Sequence, residues 1–253
     1  MELREFNKDY RIHVYESGPD GKLTLSSLFD FFQDIASEHA IALGYGRDEL
    51  MKDNNFWVLS RMYSVIDKWP AMGDKISIRT WPRGTEKLFA LRDFIAREED
   101  GSIIAMATSS WLIVDYTTKR IQRPDNNLNR LNFVPESETA LPRNASKIGA
   151  LPPDSKLTRQ FSVRVSDLDV NFHANNARYL EWVTDCYDLD FIMNNAPLSA
   201  EINYLAESHF NDPVAIVTAQ PEENEKVSYH SIVRTNDSTE LCRVRIQWSV
   251  KQA

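Results

Sequence analysis

Between Leu25 and Leu43 one set of side chains recurs at three- and four-residue steps: Leu25, Leu28, Phe29, Phe32, Ile35, Ala36, His39, Ala40 and Leu43. That stripe predicts a single amphipathic helix of about five turns. A strand is expected before it, over Tyr10–Tyr15, followed by a turn at Gly18, Asp20 and Gly21. After it, Trp57–Ile66, Lys75–Trp81, Phe89–Arg97 and Ile103–Tyr116 are rich in aromatic and β-branched residues, and Ile76, Ile78 and Thr80 alternate with polar neighbours. Gly, Pro and Asp pairs separate these runs, as in an antiparallel sheet.

The same order then returns. A strand at Gln160–Val165 leads into the polar turn DLDVNFHANN, and an amphipathic run from Ala177 to Ile192 follows, with Tyr179, Trp182, Val183, Cys186 and Ile192 on its apolar face. Strand-like sequence continues to the end. GDKISIRT (73–80) resembles NDPVAIVT (211–218), and ATSSWLIV (107–114) resembles VRIQWSV (244–250), so that Trp111 and Trp248 take equivalent places. Order, spacing and shared residues indicate an internal duplication. Between the halves, residues 124–158 carry five of the 11 prolines and read as a connector, laid against a surface by Leu131, Phe133, Val134 and Ile148.

A long helix after the first strand, followed by an antiparallel sheet, is the element order of a hotdog unit. The expected fold class is therefore α+β, a tandem double hotdog, each unit an antiparallel sheet wrapped around a long central helix. The units are expected at residues 1–123 and 159–253. Two such units in one chain mimic a homodimer of single units, and the join between them is a natural place for a site. A homodimer of whole chains is left open.

Composition narrows the function. Hydrophobic residues make up 42% of the 253-residue chain and charged residues 26%, an ordinary globular balance. A net charge of −8 repels phosphate backbones and anionic lipids, so nucleic-acid binding is not expected. No run approaches the roughly 18 apolar residues of a membrane span. The N-terminus, MELREFNKDYRIHVYES, has the pattern of neither a signal nor a transit peptide, and the two cysteines, Cys186 and Cys242, lack CxxC spacing. A cytoplasmic protein, or a trimmed mature form, is expected. No P-loop, dinucleotide-binding glycine motif or metal-ligand cluster appears, so no cofactor and no metal are implied.

The chemistry concentrates before the second helix, where Asp167, Asp169, Asn171, His173, Asn175 and Asn176 place six polar groups within ten residues. Asn and Asp also favour turns and helix caps, so Asn175 and Asn176 have a structural reading beside the functional one. The first-half counterpart, ESGPDGKLTLSS, has neither histidine nor asparagine. One site per chain is the simplest reading, assembled by the second half and covered by the first.

DLDVNFHANNARYLEW resembles the catalytic motif of acyl-acyl carrier protein thioesterases, the plant plastid enzymes and their bacterial relatives. FWVLSRM (56–62), TWPRGTEKLFALRDF (80–94) and ATSSWLIVDYTTKRIQRP (107–124) extend the resemblance to about four-fifths of the chain. It implies hydrolysis of fatty acyl-acyl carrier protein, with Asp169, Asn171 and His173 as an Asp-x-Asn-x-His set. In INYLAESHF (202–210), Glu207 takes the place of a further family glutamate, and Ser208 stands where many members have cysteine. Cys186, on an apolar helical face, is no substitute, and Ser208 lacks a GxSxG turn. Water activated by Glu207 and His173 is therefore the expected nucleophile, with Asn171 orienting it, Asp169 holding the loop and helix-start N–H groups around Asn175 to Arg178 receiving the oxyanion.

Asn175, Asn176 and Ser208 are the expected substrate contacts at the reacting end. Leu28, Phe32 and Trp57 are expected along the acyl chain, where Ile35, Leu59 and Phe89 are further candidates. All of these apolar residues are equally explained as core. The first unit is the acyl-pocket side and the second the catalytic side. Acyl carrier protein, an acidic partner, would meet basic residues, and Lys119, Arg120, Arg123, Arg130, Arg143 and Lys147 are the candidates. His209 borders Glu207 and is expected at the surface, with a supporting role left open. A coenzyme A thioesterase of the same fold and a non-catalytic acyl-binding protein are the alternatives.

Overall fold

The computed structural model describes residues 4–124, 128, 138–219 and 226–251; Arg130, Leu131, Phe133 and Val134 of the connector lie outside this range. The chain divides into two compact units, Met1–Leu23 with Leu28–Ala145, and Thr24–Ser27 with Ser146–Ala253.

In unit 1, β1 (Phe6–Arg11) precedes α1 (Leu25–Ala42), which belongs to this unit from Leu28 onwards, and the short α2 (Arg47–Lys52). Then come β2 (Asn55–Ile66), β3 (Lys75–Glu86), β4 (Phe89–Glu98), β5 (Ile103–Asp115) and the two-residue β6 (Ile121–Gln122). The strands are antiparallel in the order β1-β3-β4-β5-β2, with β6 on β5. Helix α1 forms where the periodicity predicts it and buries Leu28, Phe29, Phe32, Ile35 and Ala36. Phe32 meets Phe94 of β4 at 5.0 Å between ring centroids. Each large apolar side chain removed from water in this way contributes about 1.5–3 kcal/mol. His39 lies on the same buried stripe with its Nδ1 3.0 Å from the buried guanidinium of Arg92. Arginine can only donate, so Nδ1 is the acceptor.

In unit 2, β7 (Lys156–Ser162) precedes two short helices, α3 (Arg178–Thr184) and α4 (Leu189–Asn194). The sheet follows as β8 (Asn195–Tyr204), β9 (Pro213–Ala219), β10 (Val227–Arg234) and β11 (Thr239–Val250), antiparallel in the order β8-β11-β10-β9-β7. The continuous helix expected from Ala177 to Ile192 is therefore broken. Asp188 accepts the Phe191 N–H at 2.7 Å and so caps a second helix. Between the helices, Tyr187 turns inward and donates its hydroxyl proton to Ser228 Oγ at 2.6 Å.

Both entry strands end about four residues earlier than their apolar pattern suggests. Three-residue 3-10 turns take Val14–Glu16 and Val165–Asp167 instead. Val14, Tyr15 and Val165 are more than two-thirds exposed, so their apolar character marks surface rather than strand. Among the described residues, no helix is long and apolar enough to cross a membrane.

Unit 2 also buries a polar cluster around His230, whose Nε2 lies 2.9 Å from Tyr187 Oη and whose Nδ1 lies 3.0 Å from Thr218 Oγ1. Burial pushes the His230 pKa down from 6.5 to about 4. A folded-state pKa below the unfolded value means that the unfolded chain binds the proton first. Stability from this group is therefore complete above pH 6.5 and is lost as pH falls towards 4. Urea unfolding should show a loss on the order of 2 kcal/mol between pH 7 and pH 5 that His230→Gln lacks.

Candidate active site

The turn that carries His173 is built on the same plan as its counterpart in unit 1. Gly18 N–H donates to the Lys22 carbonyl at 2.8 Å, and Asp169 N–H to the His173 carbonyl at 2.8 Å. Gly21 has φ +72° and Phe172 φ +63°, so each turn passes through the left-handed region at the same step. Ser17 bridges Leu23, as Leu168 bridges Ala174. Opposite each turn, Leu23 N–H donates to the Pro70 carbonyl at 2.9 Å and Ala174 N–H to the Ser208 carbonyl at 2.9 Å. These equivalences place Lys22 where unit 2 has His173, and Trp69 where it has Glu207. The scaffold is duplicated and the acid-base chemistry is not.

Asp169 organises the unit 2 turn. Its Oδ1 accepts the N–H of Asn171 at 2.8 Å and of His173 at 3.2 Å, while Oδ2 accepts from Asn171 Nδ2 at 3.2 Å. The carboxylate thus fixes the backbone on which the imidazole stands. Asn171 itself is exposed. Phe172 is 77% exposed in a conformation that costs a bulky residue about 1–2 kcal/mol, where unit 1 uses glycine.

His173 Nε2 lies 3.5 Å from Glu207 Oε2, and their side chains are 30% and 45% exposed. This is ion-pair distance rather than a short hydrogen bond, and a small side-chain rotation closes it. The pair is held from below: His173 bridges His209 in antiparallel fashion, and Arg234 donates to the Glu207 carbonyl at 3.2 Å.

Other expected site residues fall elsewhere. Ser208 is fully buried with its Oγ 2.9 Å from Tyr179 Oη, which removes it from the exposed face where His173 and Glu207 stand. Asn175 accepts the Ala177 N–H at 2.9 Å, a turn-forming role, and the Asn176 carbonyl accepts from Tyr204 at 3.0 Å. The expected oxyanion donors are largely occupied as well. Asn175 N–H donates to the Asp167 carbonyl at 2.8 Å and Arg178 N–H to the Asn175 carbonyl at 3.0 Å. Leu28 and Phe32 are core residues of unit 1, and Trp57, half-buried there, donates to the Tyr45 carbonyl at 2.8 Å. Burial pushes the Cys186 thiol up to about 11, and Cys242 is fully buried, so neither offers a ready thiolate. Of the basic candidates, Lys119, Arg120, Arg123 and Lys147 are exposed, whereas Arg143 stacks on Tyr63 with its guanidinium carbon 3.5 Å from the ring centroid.

His209, expected at the surface, is 53% exposed. Its ring stands edge-on to His173, with centroids 4.9 Å apart at 84°. The signal was its i+2 spacing from Glu207, which brings two side chains of an extended segment to one face. His173, Glu207 and His209 each offer a donor atom within 4.8 Å of the others, a grouping of residues that lie apart in the sequence.

Two helix-on-sheet units, one of which carries a partly exposed histidine-glutamate pair, define the class: a double-hotdog protein with its candidate chemistry in the second unit. Residues 4–130 match the acyl-ACP thioesterase N-terminal domain and residues 151–250 the acyl-ACP thioesterase C-terminal domain. The chain belongs to the acyl-ACP thioesterase family. It is similar to a chloroplastic palmitoyl-acyl carrier protein thioesterase of Gossypium hirsutum, at 26% identity over 98% of this chain and 64% of that relative's length. In structure it is similar to an acyl-ACP thioesterase from Bacteroides thetaiotaomicron, with TM-score 0.87 and 24% identity over 97% of this chain and 98% of the other. A putative oleoyl thioesterase from Lactobacillus plantarum gives 0.84 and 25% over 98% and 97%.

Because Asp169 makes three hydrogen bonds within the turn and Asn171 is exposed, alanine at the two positions should behave differently. Asp169→Ala should lower the unfolding free energy by about 1–3 kcal/mol, and Asn171→Ala by less than about 0.5 kcal/mol, as measured by urea denaturation.

Proposed function

We propose that this protein hydrolyses the thioester of fatty acyl-acyl carrier protein, releasing free fatty acid and carrier protein, with water as the direct nucleophile. The observation that carries the reading is the His173–Glu207 pair, 3.5 Å apart and open to solvent, in a chain of this family. A water hydrogen-bonded beside the two groups loses a proton to the pair as its oxygen bonds to the carbonyl carbon. The tetrahedral intermediate then collapses, breaking the carbon-sulfur bond, and the proton returns to the departing thiolate. Such positioned general-base help is worth about 10² to 10⁴ in rate.

Asn171 orients the water or the substrate, and Asp169 fixes the turn. Direct attack by water is supported by the chain's own inventory: both thiols are buried or half-buried, and Ser208 Oγ is buried against Tyr179. The acyl chain is assigned to the apolar interior of unit 1, around Leu28, Phe32 and Trp57. The exposed cations Lys119, Arg120 and Arg123 suit the acidic carrier. A cytoplasmic location belongs to the same reading, and the two free cysteines suit its reducing conditions.

The test is thiol release from one acyl group presented on acyl carrier protein and on coenzyme A. Faster turnover on the carrier protein supports the reading, and preference for coenzyme A, or tight acyl binding without thiol release, contradicts it. His173→Ala and Glu207→Ala should each lose about 10² to 10⁴ in kcat with little change in melting temperature, while Ser208→Ala stays active. A folded but inactive Ser208→Ala would instead indicate a covalent route.

A further inference from the structure

Water activation uses two members of the exposed cluster in unit 2 and leaves the third without a role. We propose that His173, Glu207 and His209 form a binding site for one zinc(II) ion, and that zinc bound there blocks hydrolysis.

Two imidazoles and a carboxylate are a familiar zinc ligand set, with metal-ligand bonds of about 2.0–2.2 Å. Tetrahedral geometry at that radius separates the donor atoms by about 3.3 Å. His173 Nε2 and Glu207 Oε2 are already 3.5 Å apart. All three donors lie within 4.8 Å of one another, so closing the set takes donor shifts of up to about 1.5 Å, within the reach of side-chain rotation. The side chains of Glu207 and His209 are 45% and 53% exposed and have the room to rotate.

The backbone beneath is fixed at several points. His173 bridges His209, Ala174 N–H donates to the Ser208 carbonyl at 2.9 Å, and His209 N–H donates to Asp212 Oδ2 at 2.9 Å. That Asp212 oxygen lies 3.9 Å from His209 Nδ1, within ion-pair reach of the ring. Arg234 reaches the Glu207 main-chain carbonyl, Asp212 and Asp237. It is thus engaged away from the Glu207 carboxylate, which remains available to a cation. Two nitrogen donors favour zinc over calcium or magnesium, which take oxygen ligands. The open side towards solvent supplies the fourth position.

Zinc on His173 and Glu207 takes the lone pairs that would accept the proton of water. This inhibitory half rests on the proposed function, and the binding half does not.

The test uses tag-free protein and cobalt(II) as a coloured probe, displaced afterwards by zinc. Wild type should bind one cobalt ion with the intense visible bands of a tetrahedral site, and His209→Gln, folded by its unfolding curve, should bind at least about tenfold more weakly. In thioester hydrolysis, zinc should inhibit wild type, and the inhibition constant should rise in His209→Gln by the same factor. Absent bands in wild type, or equal cobalt affinity in the two proteins, overturn the site. Full turnover by zinc-saturated wild type overturns the inhibition alone. A wild type that binds cobalt as expected yet hydrolyses no thioester counts against the proposed function and leaves the site standing.

Discussion

The hydrogen bond from Ala174 N–H to the Ser208 carbonyl, with the His173–His209 bridge beside it, ties two distant stretches of unit 2 together. The turn before α3 supplies the imidazole, and the segment after β8 supplies the carboxylate. Neither stretch is regular secondary structure, so neither could hold a side chain in place alone. Strapped to each other, they fix the Cα positions of His173 and Glu207, and the short side-chain distance follows. Asp169 completes the arrangement by closing the turn on itself through three hydrogen bonds. Ser208 is drawn into the interior by the same strap, because its neighbours on either side face outwards.

The duplicated scaffold shows how little of this device is specific to chemistry. Unit 1 makes the same strap from Leu23 to Pro70 and the same left-handed step at Gly21. It places lysine and tryptophan where unit 2 has histidine and glutamate, and it keeps a long continuous helix over a core of Phe29, Phe32 and Phe94. Unit 2 shortens and breaks its helix and admits a buried polar cluster around His230. The two halves have the same order of strands and turns with different contents: a cluster of phenylalanines under one helix, and a buried histidine network beside the other's apolar residues.

How far the sequence revealed this differs by element. Helix α1 was legible because a continuous apolar stripe has one three-dimensional solution. The second helical run was not, because apolar periodicity continues across the Asp185–Asp188 break, where Asp188 restarts a helix by capping it. The entry strands ended early for a related reason: Val14, Tyr15 and Val165 look like strand interior and lie exposed on 3-10 turns. In the site, the density of polar groups from Asp167 to Asn176 drew attention to the right turn. The turn-forming reading offered for Asn175 matches its bond to the Ala177 N–H, whereas the engagement of several helix-start N–H groups was not foreseen. That His209 shares a face with Glu207 was legible from their i+2 spacing, whereas its approach to His173 depended on a strap between segments some 35 residues apart.

The central claim is that His173 and Glu207 act on water as one unit. A double-mutant cycle on the single-turnover rate of thioester cleavage tests it most directly, with His173→Ala, Glu207→Ala and the double variant compared at equal foldedness. Groups that act together lose their function together, so all three variants should fall to nearly the same residual rate. Losses that multiply in the double variant would show the two residues acting independently, and would contradict the account.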